Sequence, residues 1–273
     1  KKVSKVSVHY SANVRNTCAI LEDGSVRCWG NGYLGYGGIS PQKKPSVRSI
    51  QLWGKKAKQV VMGTPATICV LLENRLVHCW GNVEHIPAFN AHFSLQGYGD
   101  LKKRLAPPVQ ALDFQGMGVL DIAMSGHACV LLEDGTVRCW GANASGQLGY
   151  GDRTVFRLKP GPSVRLGALK VKSIKVSSGH TCVLFEGGTM KCWGENQHGQ
   201  LGYADTKIRR QPDTRLLDFQ GHRVVQFSVG FRRTCAVLDD KSVRCWGYAF
   251  EERSLKALKT PLLVPLVEDP FLP

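Results

Sequence analysis

The sequence predicts an all-β protein, a β-propeller of five four-stranded blades. Three observations predict it: a short cysteine-bearing unit recurs five times, the period is near 50 residues, and each unit parses into several short strands. No segment combines helix caps with 3.6-residue periodicity, and 251–259 has helical propensity over only a short span. The repeats lie at 17–30, 68–81, 128–141, 181–194 and 234–247, each with a cysteine, nine residues and then Cys-Trp-Gly. The first cysteines, Cys18, Cys69, Cys129, Cys182 and Cys235, set periods of 51, 60, 53 and 53 residues.

The last full unit shows how the strands are read. A first strand is expected at 214–219, with Gln220-Gly221-His222 turning the chain into a second strand at 224–229. There Val225, Phe227 and Val229 alternate on one face. A third strand at 234–238 and a fourth at 242–246 flank Asp239-Asp240-Lys241. Second strands are likewise read at 119–124 and 171–177, and Glu133-Asp134-Gly135 reads as a hairpin turn. The chain starts within a second strand (Val3, Val6, Val8), and 261–267 resembles first strands such as that at 107–112. The C-terminal strand is therefore expected to pair with the N-terminal blade and close the ring, giving one domain over 1–273. An open crescent or a piece of a longer ring is the alternative.

All ten cysteines fall in the repeats. A three-residue loop, Glu22-Asp23-Gly24, sets Leu21 opposite Ser25, and counting outward sets Cys18 opposite Cys28. The same count pairs Cys69 with Cys79, Cys129 with Cys139, Cys182 with Cys192 and Cys235 with Cys245. Facing residues on antiparallel strands are close enough to bridge. Free core thiols and a metal site are the alternatives, but C-x9-C in five separate units does not converge four ligands. Paired cysteines imply an oxidising compartment: secreted, periplasmic or cell-surface. The chain opens on Lys1-Lys2-Val3 with neither methionine nor apolar leader, as expected after removal of a leader or trimming. No apolar run is long enough to span a membrane.

Beyond Cys-Trp-Gly, three units continue in a recurring way: 141–152 (with Gly146-Gln147-Leu148-Gly149-Tyr150-Gly151-Asp152), 194–205, and a shortened form at 30–37. These motifs, with Gly179-His180-Thr181-Cys182, resemble the regulator-of-chromosome-condensation repeat family. The cysteine-rich form is most similar to its secreted bacterial members. The resemblance covers nearly the whole chain and implies a propeller. It does not imply one function, since the family includes a chromatin-bound exchange factor for a nuclear GTPase, a plant ultraviolet photoreceptor and inhibitors of β-lactamase. Familiar members have seven blades where five are counted here. The second unit carries 83–98 in place of the glycine-rich loop, and the fifth also lacks that loop.

No catalytic set is read, and no cofactor or metal ligand. The five tryptophans are expected to pack between blades, and His127 and His180 to make structural hydrogen bonds. The glycines of Gly-Gln-Leu-Gly-Tyr-Gly lack the context of a phosphate loop and are read as turns.

The formal net charge is +15, which favours acidic partners. Hairpin turns on one face carry the acids, including Glu22, Asp23, Glu133, Asp134, Asp239 and Asp240. The inter-blade loops on the opposite face carry Lys43, Lys44, Lys102, Lys103, Arg104, Arg157, Lys207, Arg209 and Arg210, with Arg232 and Arg233 beside them. Tyr33, Tyr36, Tyr150, Phe156 and Tyr203 are interspersed. This basic face is the expected site for an acidic protein or anionic surface polymer, a non-enzymatic role outside the cell. The alternatives are an exchange factor for a small GTPase, a chromatin or nucleic-acid binder (disfavoured by the cysteines), an inhibitor of a secreted enzyme and a lectin-like module. Asn143-Ala144-Ser145 is a glycosylation sequon.

Overall fold

The computed structural model describes residues 1–10, 15–64, 66–86, 91–248 and 257–263, and among these there are strands and no helix. The chain forms two compact units. The first, Lys1–Ala144 with Thr154–Val164, holds three sheets. These are β1 (Val3–Tyr10), β2 (Arg15–Leu21) and β3 (Val26–Gly30); then β4 (Ala57–Gly63), β5 (Thr67–Leu72) and β6 (Val77–Gly81). A short hairpin, β7 (Glu84–Ile86) and β8 (Ala91–Phe93), precedes the third sheet of β9 (Val119–Met124), β10 (His127–Leu132), β11 (Val137–Ala142) and β12 (Phe156–Arg157). The second unit, Ser145–Arg153 with Arg165–Pro273, holds two sheets. They are β13 (Val171–Val176), β14 (His180–Phe185) and β15 (Met190–Gly194), then β16 (Val224–Gly230), β17 (Arg233–Leu238), β18 (Val243–Tyr248) and β19 (Ala257–Leu263).

Every sheet is an antiparallel meander with the same register. The hairpin turns close as read: Leu21 N–H donates to Ser25 O at 2.9 Å and Gly24 N–H to Leu21 O at 2.8 Å. Cys18 therefore faces Cys28, and all five cysteine pairs meet this way and are bridged. The leading strand of each sheet bulges at its second residue, where the register shifts between Val3 and Lys5, Ala57 and Gln59, Val171 and Ser173, and Val224 and Gln226. The bulge turns Val225 out to solvent, where the sequence pattern had set it with Phe227 and Val229.

Two strand assignments are corrected. The segment read as a first strand at 214–219 is not part of the sheet that follows it. Leu217 N–H donates to Met190 O at 3.0 Å, so the segment flanks the fourth sheet. Ile50 on Val26, Leu112 on Val77 and Val164 on Val137 repeat that bond. Each return segment thus supplies the outer edge of its own repeat's sheet. The C-terminal strand follows the same rule. β19 pairs with β18, with Cys245 opposite Leu262 and Tyr248 opposite Ala257, and not with the N-terminal sheet. The outer edge of the first sheet is already held by its own residues, Gly30 and Gln42 exchanging two bonds of 2.8 Å. Residues 257–259, within the span of helical propensity, are extended; 251–256 and 264–267 lie outside the described residues.

Within each unit successive sheets pack through two unlike faces. One carries the cystine: Cys18, Ile20, Val26 and Cys28 in the first sheet. The other carries the tryptophan: Val60, Met62, Val70, Leu72 and Trp80 in the second, and these two faces form one buried cluster. The second sheet's Cys69, Leu71, Val77 and Cys79 meet Val119, Ile122, Val130, Leu132 and Trp140 of the third in the same way. Cys182, Leu184, Met190 and Cys192 meet Val224, Phe227, Ala236, Leu238 and Trp246. Leading strands also dock by backbone, as Ala57 N–H donates to Gly24 O (2.9 Å), Val119 to Arg75 O (2.9 Å) and Val224 to Gly188 O (2.8 Å).

Candidate interaction face

The long loops leave their sheets at the glycine of Cys-Trp-Gly. At Gly194, φ is +109° and a Cβ would lie 2.4 Å from Gly179 O, so no other residue fits. The loop then reaches a Gly-Tyr pair whose function is architectural. The Tyr203 hydroxyl accepts from Cys192 N–H at 3.2 Å, as do Tyr98 from Cys79 at 3.3 Å and Tyr36 from Cys28 at 3.0 Å. Burial pushes the phenols of Tyr98 and Tyr203 up to about 12. Preceding loop residues receive the next tryptophan: the indole nitrogens of Trp80, Trp140 and Trp193 donate to Tyr33 O (3.1 Å), Leu95 O (2.7 Å) and Gln147 O (2.9 Å). The following glycine ties neighbouring loops together, Gly37 N–H reaching Leu105 O (3.2 Å), Gly99 reaching Leu158 O (3.0 Å) and Gly151 reaching Arg210 O (2.8 Å).

Two of the expected binding arginines are clamps inside these loops. The Arg209 guanidinium stacks 4.3 Å from the Tyr203 ring centroid. It holds Asp205 with two bonds of 2.9 Å and Asp213 with one of 2.8 Å. Arg104 repeats this over Tyr98 at 4.3 Å, with Asp100 at 2.9 and 2.8 Å and Gln96 at 2.9 Å. The arginines hold Asp100 and Asp205 below the usual carboxylate range, and Arg215 together with Arg209 does the same for Asp213. The signal was in the sequence: Gly-Tyr-x-Asp-x3-Arg occurs at 97–104 and 202–209. In the first repeat Gln42 takes the arginine's place in the sheet.

The other expected residues divide by exposure. Lys43, Lys44, Lys102, Lys103 and Lys207 are exposed; Arg157, Arg210, Arg232 and Arg233 are half-buried. Arg232 stacks on Phe231 at 4.7 Å, with Glu195 3.7 Å from it. In the first unit the Gly37–Leu105 bond brings the first loop to the segment bearing Lys102 and Lys103. In the second, a cleft of about 520 Å³ is lined by Tyr203, Arg215, Gln220 and Arg244.

His180 Nδ1 lies 2.7 Å from Ser177 Oγ, but Nε2 lies 2.9 Å from Thr234 Oγ1 and the group is buried. Burial drives the imidazole down to about 3, too low for a base at neutral pH. Among the described residues one group has the spacing of a metal site, His222, Asp239 and Asp240. It is exposed, and Arg223 already lies 3.4 Å from Asp239. The sequon residue Asn143 is buried and donates to Thr154 O at 2.8 Å.

Two repeat models of one family match the chain. The regulator of chromosome condensation (RCC1) repeat matches at 9–35, 125–147 and 171–200, and a second form at 188–237. The ultraviolet-B receptor UVR8 of Arabidopsis thaliana is 27% identical over 88% of the chain and 52% of its own length. Human WBSCR16 superposes with a TM-score of 0.80 at 17% identity, covering 97% of this chain and 67% of that one. Yeast RCC1 (Prp20), solved bound to Kap60, gives a TM-score of 0.77 at 21% identity over 97% of this chain and 64% of that one. The chain thus spans about half the length of its plant relative. The shared fold is the RCC1-like propeller, and the chain is an RCC1-repeat protein.

Proposed function

We propose that the chain is a non-catalytic binding module, its five sheets serving as propeller blades and its lysine-rich loops engaging an acidic protein or anionic surface polymer. The observation that carries this is the division of the loop cations. Arginines 104 and 209 are consumed in holding the loops, while Lys43, Lys44, Lys102, Lys103 and Lys207 stand exposed on them. Loops fixed in advance lose little entropy when a partner binds. Five cystines, four of them fully buried, support residence in an oxidising, extracellular compartment.

The test reverses the charge of the exposed lysines, K43E/K44E and K102E/K103E, and measures binding to an acidic polypeptide and to a sulfated polysaccharide against salt. Binding should weaken and its salt dependence flatten. Unchanged binding removes the reading. A second reading is favoured by one comparison. Yeast Prp20, bound to Kap60 in one structure, is described in another (TM-score 0.72, 20% identity) for its binding to Gsp1p and histones, so a small GTPase or chromatin protein is the alternative partner. Nucleotide release from a small GTPase separates the two.

A further inference from the structure

The arginine clamp is dismantled in the first repeat. In the fourth, Arg209 stacks on Tyr203 and bridges Asp205 and Asp213, and Arg215 adds bonds of 3.0 and 3.3 Å to Asp213. In the first, Gly38, Gln42 and Ser46 stand in the places of Asp205, Arg209 and Asp213, and Arg48 keeps that of Arg215. The backbone confirms the equivalence. Gln42 pairs with Gly30 as Arg209 pairs with Gly194. Arg48 N–H donates to Ser46 Oγ at 3.1 Å, as Arg215 N–H donates to Asp213 Oδ1 at 3.0 Å. The Tyr36 hydroxyl accepts from Cys28 N–H, as that of Tyr203 accepts from Cys192 N–H. The charged parts are gone. Among the described residues no guanidinium stacks on Tyr36, and Arg48 has no acidic partner.

A cleft of about 330 Å³ opens at this place, lined by Tyr36, Gln42, Ser46, Arg48, Ser49 and Gln51 and by no carboxylate. That volume is within the range of small-ligand sites, about 300–1,000 Å³. The cleft of the fourth repeat differs: Asp218 lines it, and its Arg215 is already paired. We propose that the first repeat's cleft binds a carboxylate-bearing sugar of an acidic polysaccharide, with the carboxylate on Arg48 and the sugar ring against Tyr36. The molecule itself shows what an arginine at this position holds, since Arg215 grips the Asp213 carboxylate through two nitrogens. The rest of the lining selects the sugar. An aromatic ring that no guanidinium covers gives the C–H face of a sugar a flat apolar surface. The amides of Gln42 and Gln51 and the hydroxyls of Ser46 and Ser49 both donate and accept, as sugar hydroxyls require; the aliphatic stem of an acidic side chain would engage none of them. The class of ligand rests on the anionic-polymer reading above, and the site rests on the cleft alone.

The test titrates the oxidised 273-residue chain with a short oligouronate, followed by calorimetry and ligand-observed NMR. A neutral oligoglucan, a sulfated disaccharide and an acidic peptide run beside it. The oligouronate should bind and the neutral sugar should not. R48Q, which removes the cation, and S46D, which supplies Arg48 with the carboxylate that Arg215 has, should each weaken binding about tenfold. G38D/Q42R/S46D rebuilds the whole clamp and should abolish binding without lowering the urea midpoint; a Cβ at Gly38 meets nothing within 4 Å. K172E, at an exposed position on β13, should leave binding unchanged. Binding that survives R48Q and S46D overturns the proposal. So does a sulfated disaccharide or an acidic peptide that binds as tightly as the oligouronate and is lost in R48Q. A long acidic polymer that K102E/K103E releases, with no short oligouronate bound, overturns this site and leaves the lysine reading standing. Short-oligouronate binding lost in S46D, with the long polymer indifferent to K102E/K103E, supports this site and removes the lysine reading.

Discussion

Replacing Arg209 tests the claim that loop arginines are structural. Its side chain is 11% exposed, and its partners Asp205 and Asp213 are 28% and 16% exposed. Breaking a fully buried pair by removing one partner costs about 3–5 kcal/mol, and an exposed pair contributes about 0–1. Asp213 keeps Arg215 at 3.0 Å, so it is not stranded; Asp205 loses its bidentate partner. R209A should therefore cost about 2–3 kcal/mol in urea unfolding under oxidising conditions. R209K should recover less than half of this, because an ammonium neither grips both oxygens of Asp205 nor stacks on Tyr203. R104A, with one carboxylate that is 35% exposed, should cost about 1–2 kcal/mol, and K207A, at an exposed neighbour, nothing measurable. If R209A lies within 0.5 kcal/mol of the parent, or R209K restores it fully, the clamp reasoning fails.

The folded pKa of His180 is depressed to about 3 from an ordinary 6.5, so the unfolded chain binds the extra proton between those values. Stability from this residue is complete above pH 6.5 and falls on acidification toward pH 3, with a slope of at most about 1.4 kcal/mol per pH unit; H180Q should flatten that limb in urea titrations at a series of pH values. The carboxyls of Asp100 and Asp205 are also held low, so their contribution is present above the ordinary 3.8 and lost below it; D205N should weaken the most acid part of the curve, read the same way. Each cystine closes a loop with sequence separation 10, worth about 2.7 kcal/mol in the chain-entropy model, so a C182A/C192A pair should lower stability by roughly 2–3 kcal/mol. Cys235 is half-buried while the members of the other four bridges are at most 1% exposed, so mild reductant followed by alkylation and mass spectrometry should label Cys235 and Cys245 first.

The sheets were legible because their signals are local. Three residues in a tight turn fix which residues face each other across a hairpin, and that alone set all five cystines. Period-two alternation located β9, β13 and β16 within a residue or two. The outer edge was misassigned because 214–219 follows a long loop and precedes a turn, and neither tells a strand which sheet it joins. That choice is made by the Leu217–Met190 bond and by Leu217 and Phe219 packing with Met190. The roles of the loop cations were not legible for a related reason. Charge is read by counting, but Arg209 and Lys207 count alike, and only the Asp205–Tyr203 cage distinguishes them.

That distinction explains why the two cations are used differently. A planar guanidinium keeps several hydrogen bonds and a ring contact at once and is more weakly hydrated than an ammonium, so it survives partial burial inside a loop. Lysine keeps its charge in water at the end of a long stem, as Lys43, Lys44, Lys102, Lys103 and Lys207 do here. The acidic partners of Arg104 and Arg209 are spent close by, so the clamps add little net charge to the loops, and the exposed positive charge of the loops is carried by the lysines. Loop order and loop charge are therefore separable. A lysine-to-glutamate change should alter binding without loss of fold, while an arginine change should loosen the loop and weaken binding through disorder even though little net positive charge is removed.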